Sequence, residues 1–349
     1  MTGSREATPA ELAAMDRALA LAALGPARGP NPQVGCVLLG PDGAVLGEGR
    51  HAGAGTPHAE PAAVAAAASA DLRGAVVVVT LEPCNHTGRT GPCSELLLER
   101  GVSRVVYAVG DPDPVAAGGA ERLRSAGVEV LGGVRASEGE GLLEVWLHAI
   151  RRGRPFVTLK LATTLDGRVA AADGSSRWIT SAESRAHAHG LRAAVDAIAV
   201  GTGTVLADDP ALTARAEDGS LVEPQPLRVV VGERDVPGTA RLRGPGGELV
   251  QLRTRDPIEV LRALHTRQVR HLLVEGGPVL ATAFLRAGVV DRVHAYVAPA
   301  LLGSGRAAVD DLGVASIGDA LRLGTRSVDR LGPDVLIVAA PVEPSKEMA

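Results

Sequence analysis

Two short stretches constrain this chain more than any other part of it: His58-Ala59-Glu60, and Pro83-Cys84 followed by Cys93. One imidazole and two thiols make a donor set for a tetrahedral zinc ion, and three protein donors leave the fourth corner to water, the pattern of a catalytic rather than a structural site. For donors so far apart in the chain to share one ion, the residues between them must fold back on themselves. Pro61 fixes a helix start in its own neighbourhood, because proline is tolerated only in the first turn, and residues 62–70 are strong helix formers. Residues 76–80 are an unbroken apolar run, as expected of a strand buried on both faces. Cys84 then falls just past the carboxyl end of that strand, where open α/β sheets present their ligands. The constraint therefore selects an α/β domain.

Glu60 stands two residues past the histidine, beside the water position, and the helix amino end next to it favours its negative charge. Cys93 opens a further helix, where a thiol titrates low enough to bind metal as thiolate. Zinc-dependent nucleobase deaminases use this grammar, with the glutamate moving protons and not ligating metal. Two residues usually separate their cysteines; here eight do.

The rest of the composition narrows the functional classes. A chain of 349 residues is expected to hold two domains. Aromatic residues make up 2% and the net charge is −4, with no block of Lys/Arg, so neither a base-stacking platform nor a phosphate-backbone footprint is present. Three cysteines imply no disulfide framework, and Cys36, in an apolar strand pattern, reads as an inert core thiol. The apolar run at residues 18–24 follows Glu11, Asp16 and Arg17 and reads as a first helix, not a leader; no run reaches the roughly 20 apolar residues of a bilayer span. The expected compartment is the cytosol.

Along the chain, Thr8-Pro9-Ala10-Glu11 is a capping box, and Leu12, Met15, Leu19 and Ala22 follow at helical spacing, predicting a helix to about residue 24. Pro30-Asn31-Pro32 leads into a strand over 34–39, and Pro41-Asp42-Gly43 turns it into a second over 45–50. After Cys93 the pattern predicts a helix to residue 100, strands over 105–109 and 128–131, and helices over 121–126 and 137–151. The alternation stops at Gly153-Arg154-Pro155, which predicts domains of residues 1–152 and 153–349. The second restarts with a strand over 156–162 carrying Lys160, a lysine that is either snorkelling at a sheet edge or kept for a ligand. A helix over 182–195 and strands over 197–200, 227–231, 271–274, 293–297 and 335–338 follow. Gly201-Thr202-Gly203 reads as a turn and is not the dinucleotide fingerprint, whose third glycine would fall on Leu206. Glu275-Gly276-Gly277-Pro278, ahead of a helix to residue 286, suits a phosphate or pyrophosphate, and an ordinary loop looks the same.

These segments together resemble the bifunctional riboflavin-biosynthesis deaminase/reductase family. The likeness lies in Pro30-Asn31-Pro32-x-Val34-Gly35, His58-Ala59-Glu60, Pro83-Cys84-x-His86-x-Gly88-x-Thr90-x-Pro92-Cys93, Leu159-Lys160-Leu161, Trp178-Ile179-Thr180-Ser181, residues 205–213 and Val274-Glu275-Gly276-Gly277. It implies a cytidine-deaminase-like αβα amino domain followed by a dihydrofolate-reductase-like α/β carboxyl domain. The first would hydrolyse the 2-amino group of a diaminopyrimidinone bearing ribosylamine 5-phosphate, and the second would use NADPH to reduce the ribosyl group to a ribitylamine. It implies one zinc on His58, Cys84 and Cys93, catalysis by Glu60, and pyrimidine and phosphate held by Asn31, His51, His86 and Arg89. In the second domain it implies Ala162, Trp178, Thr204, Asp208 and Gly277 at the cofactor. Lys160, Ser176, Arg192, Leu212, Arg215 and Glu275 would lie at the substrate. Where the family pattern has an Asp followed by a small polar residue, this chain has Gly232-Glu233. The expected partners are a small phosphorylated pyrimidine and a second copy of the chain, with no nucleic acid and no membrane. Other readings are a different nucleobase or tRNA deaminase with an appended domain, or a zinc-stabilised scaffold without turnover, which a fourth protein ligand such as His51 or His86 would mark.

Overall fold

The computed structural model describes residues 6–68, 70–86 and 91–342. The chain forms two compact units, residues 1–153 and 154–349.

The first unit contains α1 (Pro9–Ala23), β1 (Gly35–Leu39), β2 (Val45–Arg50), α2 (Ala59–Ala66), β3 (Val76–Leu81), α3 (Cys93–Glu99), β4 (Arg104–Val109), α4 (Gly119–Ser125), β5 (Glu129–Gly132), α5 (Ala136–Leu142) and α6 (Glu144–Arg152). Its sheet runs β2-β1-β3-β4-β5, with β1 antiparallel to β2 and β3 and the remaining pairs parallel. The capping box at Thr8 and Glu11 closes in both directions. Helices cover both faces. A Cβ on Gly35 of β1 would lie 2.0 Å from the Ala18 carbonyl of α1, whereas one on Gly49 of β2 would lie 2.3 Å from the Ala63 nitrogen of α2. Gly49 pairs with Cys36, the neighbour of Gly35, so the two helices sit on opposite faces.

Two expectations need correction here. Helix α2 begins at Ala59, not after Pro61, which places Glu60 inside its first turn and makes His58 the capping residue; proline merely has to lie in that turn. The single helix expected over 137–151 is two helices meeting at Leu143. Gly139 and Gly141 weaken the helix there, and Gly139 is fixed because a Cβ on it would meet the Val109 side chain at 2.8 Å.

The second unit contains β6 (Phe156–Thr164), β7 (Arg168–Ala170), α7 (Ala182–Ala193), β8 (Ala197–Gly201), α8 (Thr202–Asp208), β9 (Leu227–Val231), β10 (Leu249–Leu252), α9 (Pro257–Thr266), β11 (His271–Val274), α10 (Pro278–Arg286), β12 (Arg292–Ala298), β13 (Arg306–Ala307), β14 (Leu323–Leu331) and β15 (Asp334–Pro341). The main sheet runs β10-β9-β8-β11-β6-β12-β15-β14, parallel as far as β12, with β15 and β14 antiparallel. Val260, Leu264, Leu280 and Phe284 of α9 and α10 pack with Val157, Leu159 and Val274 in one core. Leu191 and Val205 of α7 and α8 pack with Ile198, Val200 and Leu273 in another. Alternate residues of the same strands feed the two cores, so helices cover both faces of this sheet as well. Gly201-Thr202-Gly203 is not a free turn but the start of α8. Lys160 is not at an edge, since β6 is hydrogen-bonded on both sides. Among the described residues no helix is long and apolar enough to cross a membrane.

Candidate active sites

In the first unit, three backbone devices aim one donor set. His58 caps α2, and the contacts at Gly49 seat that helix directly on β2. Beyond β3 the loop carrying Cys84 is fixed: the Glu82 carboxylate accepts from the Ala120 nitrogen at 3.0 Å, and the Asn85 nitrogen donates to the Ala116 carbonyl at 2.8 Å. A Cβ on Gly119 would lie only 1.7 Å from the Pro83 carbonyl, so helix α4 can approach this loop only with glycine there. Cys93 opens α3, and its backbone N–H donates to Cys84 Sγ at 3.4 Å.

His58 Nδ1 lies 3.6 Å from Cys84 Sγ and 3.4 Å from Cys93 Sγ. Bond lengths to zinc put the N–S edge of a tetrahedron at about 3.6 Å, so the donors fit the ion in both chemistry and spacing. Among the described residues this is the only group of three or more His, Cys, Asp or Glu within such reach. His51 is not a fourth ligand: its Nδ1 faces the Pro57 carbonyl at 2.9 Å and its Nε2 faces Asn31 Nδ2 at 2.9 Å. His86 keeps a buried Nδ1 without a hydrogen-bond partner. Arg89 lies outside the described residues.

Without an ion the two thiols share a proton, so the low titration expected for Cys93 at a helix start falls on Cys84 instead. Hydrogen bonding with Cys93, and then with His58, outweighs burial and draws the Cys84 thiol down to about 4, while the same thiol–thiol bond pushes Cys93 upward. His58 is raised, chiefly by its hydrogen bond to Cys84. Glu60 is only 4% exposed, and burial lifts its carboxyl to about 7. The Pro57 carbonyl requires the His51 proton on Nδ1, so the Asn31 amide N–H donates to Nε2 and Asn31 Oδ1 remains an acceptor for a ligand.

In the second unit a cavity of about 530 Å³ opens above β6 and β11 and brings together Lys160, Ala162, Ser176, Thr204, Asp208, Glu275 and Gly277. Gly277 N–H donates to Thr204 Oγ1 at 3.1 Å, and a Cβ on Gly277 would crowd that oxygen at 3.3 Å, so the loop and α8 form a close backbone cradle. Arg192 grips Glu275 with two hydrogen bonds of 2.6 and 2.8 Å, and Lys160 Nζ adds a third at 3.5 Å. Burial alone would raise the Glu275 carboxyl; these two cations reverse that and hold it at about 2. Arg192 continues to the Thr213 carbonyl at 3.1 Å, and Arg215 Nε donates to Thr213 Oγ1 at 3.1 Å. Leu212 is buried at a φ of 53° in this segment. Neither Leu212, Arg192 nor Arg215 lines the cavity itself. Trp178 also lies off it, 69% exposed, with the Arg185 guanidinium 4.6 Å from its ring.

A second cavity of about 350 Å³ shares Gly203, Thr204, Gly277 and Arg306 with the first and continues to Gly232, Arg234 and Arg255. Sequence reasoning missed Arg234, Arg255 and Arg306. They come from the segments after β9 and β10 and from β13, which only the strand order brings together, and the one local signal was the Gly232-Glu233 departure beside Arg234.

Comparison with known proteins matches the model of the RibD C-terminal domain to residues 155–337, more than half of the chain. The zinc-binding region of cytidine and deoxycytidylate deaminases matches residues 9–109. The riboflavin biosynthesis protein RibD of Mycobacterium tuberculosis is 54% identical over 309 residues, covering 88% of this chain and 90% of that protein. The chain belongs to the RibD family. The solved structure of Acinetobacter baumannii RibD superposes with a TM-score of 0.88 at 36% identity, covering 96% of this chain and 99% of that one. A Thermotoga maritima structure described as a diaminohydroxyphosphoribosylaminopyrimidine deaminase/5-amino-6-(5-phosphoribosylamino)uracil reductase gives 0.86 at 34% identity, covering 95% and 99%. The chain is thus a bifunctional enzyme of riboflavin biosynthesis, with a zinc-dependent deaminase domain and an NADPH-dependent reductase domain. The fold class expected from the sequence holds in both halves.

Proposed function

We propose that residues 1–152 deaminate 2,5-diamino-6-(5-phosphoribosylamino)pyrimidin-4-one and that residues 153–349 reduce the product to 5-amino-6-(5-phosphoribitylamino)uracil. The observation that carries this reading is the donor set at 3.4–3.6 Å with a buried glutamate beside it. His58, Cys84 and Cys93 would hold zinc, which when bound supplies the Lewis acidity that makes water nucleophilic at neutral pH. Glu60 would take a proton from the attacking water and deliver it to the ring nitrogen, then take the hydroxyl proton of the adduct and hand it to the departing amine as the carbonyl forms. Water and the aminopyrimidine thus become the pyrimidinone and ammonia. A carboxyl lifted by burial to about 7 can both accept and return a proton near neutrality. Asn31 Oδ1, oriented by His51, accepts from a substrate N–H, and His86 and Arg89 hold the phosphate-bearing side.

In the second unit NADPH, when bound, would supply the hydride that reduces the ribosyl C1′. Ala162, Thr204, Asp208 and Gly277 would hold the cofactor in the cradle, and Trp178, exposed outside the cavity, would add its ring to that side. Lys160 and Arg192 keep Glu275 ionised, so that it accepts a hydrogen bond from a sugar hydroxyl; Ser176, Leu212 and Arg215 complete that side. We place the enzyme in the cytosol, where its three free thiols stay reduced. We expect a homo-oligomer, because Leu301, Ile317, Leu321 and Leu323 expose apolar surface; light scattering coupled to gel filtration checks this.

The test is a coupled assay on the diaminopyrimidinone, with ammonia release and NADPH absorbance followed separately. The expected result is ammonia first, then NADPH oxidation that requires it. NADPH oxidation without prior ammonia release would contradict the proposed order.

A further inference from the structure

Arg228 is a buried charge that neither site uses. It lies on β9, only 2% exposed, on the face of the sheet that packs against α7 and α8, where Val230 two residues on joins Leu191, Val205 and Ile198. Among the described residues no carboxylate pairs with it. Instead its two Nη atoms donate to four carbonyls: Gly244 at 3.0 Å, Pro245 at 3.4 Å, Ala211 at 3.5 Å, and Gly247. Its Nε is buried without a partner. Burial draws its pKa below the usual arginine range, and no anion opposes the shift. A buried cation bonded only to neutral dipoles is costly to keep, and without it the four carbonyl oxygens would face one another unpaired. The guanidinium therefore ties the 244–247 loop to the segment that follows α8.

That segment, residues 209–213, holds a conformation the chain does not adopt freely. Asp209 and Leu212 have φ of 42° and 53°, a region that favours glycine, and a leucine stays there only where its surroundings fix it. Leu212 is fixed by its side chain, in the core with Val230 and Leu242, and Ala211 by the Arg228 guanidinium. The 244–247 loop backs the next residue: a Cβ on Gly246, at a φ of 124°, would lie 2.3 Å from Thr213 Cγ2. Thr213 in turn accepts from Arg192 Nη1 with its carbonyl and from Arg215 Nε with its hydroxyl, each at 3.1 Å. Arg192 is the arginine that grips Glu275. We propose that Arg228 is a positioning residue of the reductase: it holds the 244–247 loop and Ala211 so that Thr213 keeps Arg192 on Glu275 and Arg215 toward the substrate. The proposal rests on the reductase reading above, which puts Glu275 and Arg215 at the substrate.

Steady-state NADPH oxidation by the full chain on the deaminated intermediate tests it, with Arg228→Lys as the variant. Lysine keeps the charge but offers a point charge in place of the fork, so it cannot draw in all four carbonyls. A contact used alike in the ground and transition states changes KM and leaves kcat. One misaimed charge-assisted contact is worth roughly tenfold, so KM for the intermediate should rise about tenfold. The kcat, the KM for NADPH and the rate of ammonia release should stay within roughly twofold of the wild type. A merely structural role would lower kcat with the folded fraction and leave both KM values alone, and that result overturns the proposal. So does a KM for NADPH that rises as far as that for the intermediate. If Arg228→Lys yields no folded protein, Gly246→Ala displaces Thr213 with the guanidinium intact and should give the same rise; an unchanged KM there overturns the proposal equally. A wild type that oxidises no NADPH on the intermediate overturns the reductase reading with it.

Discussion

The two units solve the same problem, aiming polar groups at a small molecule, in opposite ways. In the first, every metal donor and the proton carrier come from two helix starts and one strand end, and backbone contacts at Gly49 and Gly119 hold them. In the second, the groups around the cavity come from residues 160 to 308, and a buried ion cluster around Glu275 ties them together. A site built from adjacent chain segments is stiff and separable. A site assembled by sheet topology depends on its charges being satisfied.

The sharpest way to break this comparison is Glu60→Gln. It is expected to lower ammonia release by roughly 10²–10⁴, with one zinc per chain by elemental analysis and an unchanged rate of NADPH oxidation on the deaminated intermediate. Loss of zinc in that variant would mean that Glu60 is a ligand. Glu275→Gln is the counterpart: Arg192 and Lys160 lose their counter-ion while mostly buried, which should cost about 3–5 kcal/mol in the second unit by denaturant titration. Unaltered ammonia release would then sharpen the contrast, and loss of both activities would blunt it.

The second unit should also be the more acid-sensitive. Burial depresses His271 to about 3 and His294 to about 4, and Glu275 sits at about 2. For the histidines the unfolded chain takes up protons near pH 6.5 that the folded chain refuses, so stability is full above that pH and declines as pH falls toward 4. Glu275 acts in the same direction below pH 4.5, where the unfolded carboxylate protonates first. Thermal melts between pH 7.5 and 4.5 should therefore show the second unit losing a few kcal/mol, and a flat profile would count against these burial effects.

A smaller effect, about 1–3 kcal/mol, is expected from Gly49→Ala, since α2 must lift off β2 to admit a methyl group. Zinc affinity should fall with it, because His58 moves too. Trp178→Ala should change stability by less than about 0.5 kcal/mol, the ring being 69% exposed, and should act on NADPH affinity alone.

The same contrast explains what could be read in the sequence. The capping box at Thr8, the buried strand after Ala75 and the cysteines at a strand end and helix start are local signals, and the structure has them in place. The start of α2 shifted because proline marks a turn of helix, not a residue. The break at Leu143 escaped because the contact between Gly139 and Val109 is tertiary. Lys160 could not be resolved between edge and ligand because the strand order that puts β6 inside the sheet is set by crossovers. Strands β10 and β14 were likewise unread, because the pairing that orders them comes from chain segments far away in sequence; helix α9 was missed although Asp256-Pro257 is a local start signal.

Removing zinc with a chelator tests the central claim most directly, when ammonia release is measured on the diaminopyrimidinone and NADPH oxidation on the deaminated intermediate in the same preparation. Ammonia release should vanish and return with added zinc, while NADPH oxidation stays at the level of the untreated enzyme. Ammonia release that survives demetallation, or NADPH oxidation that disappears with the metal, would contradict the account.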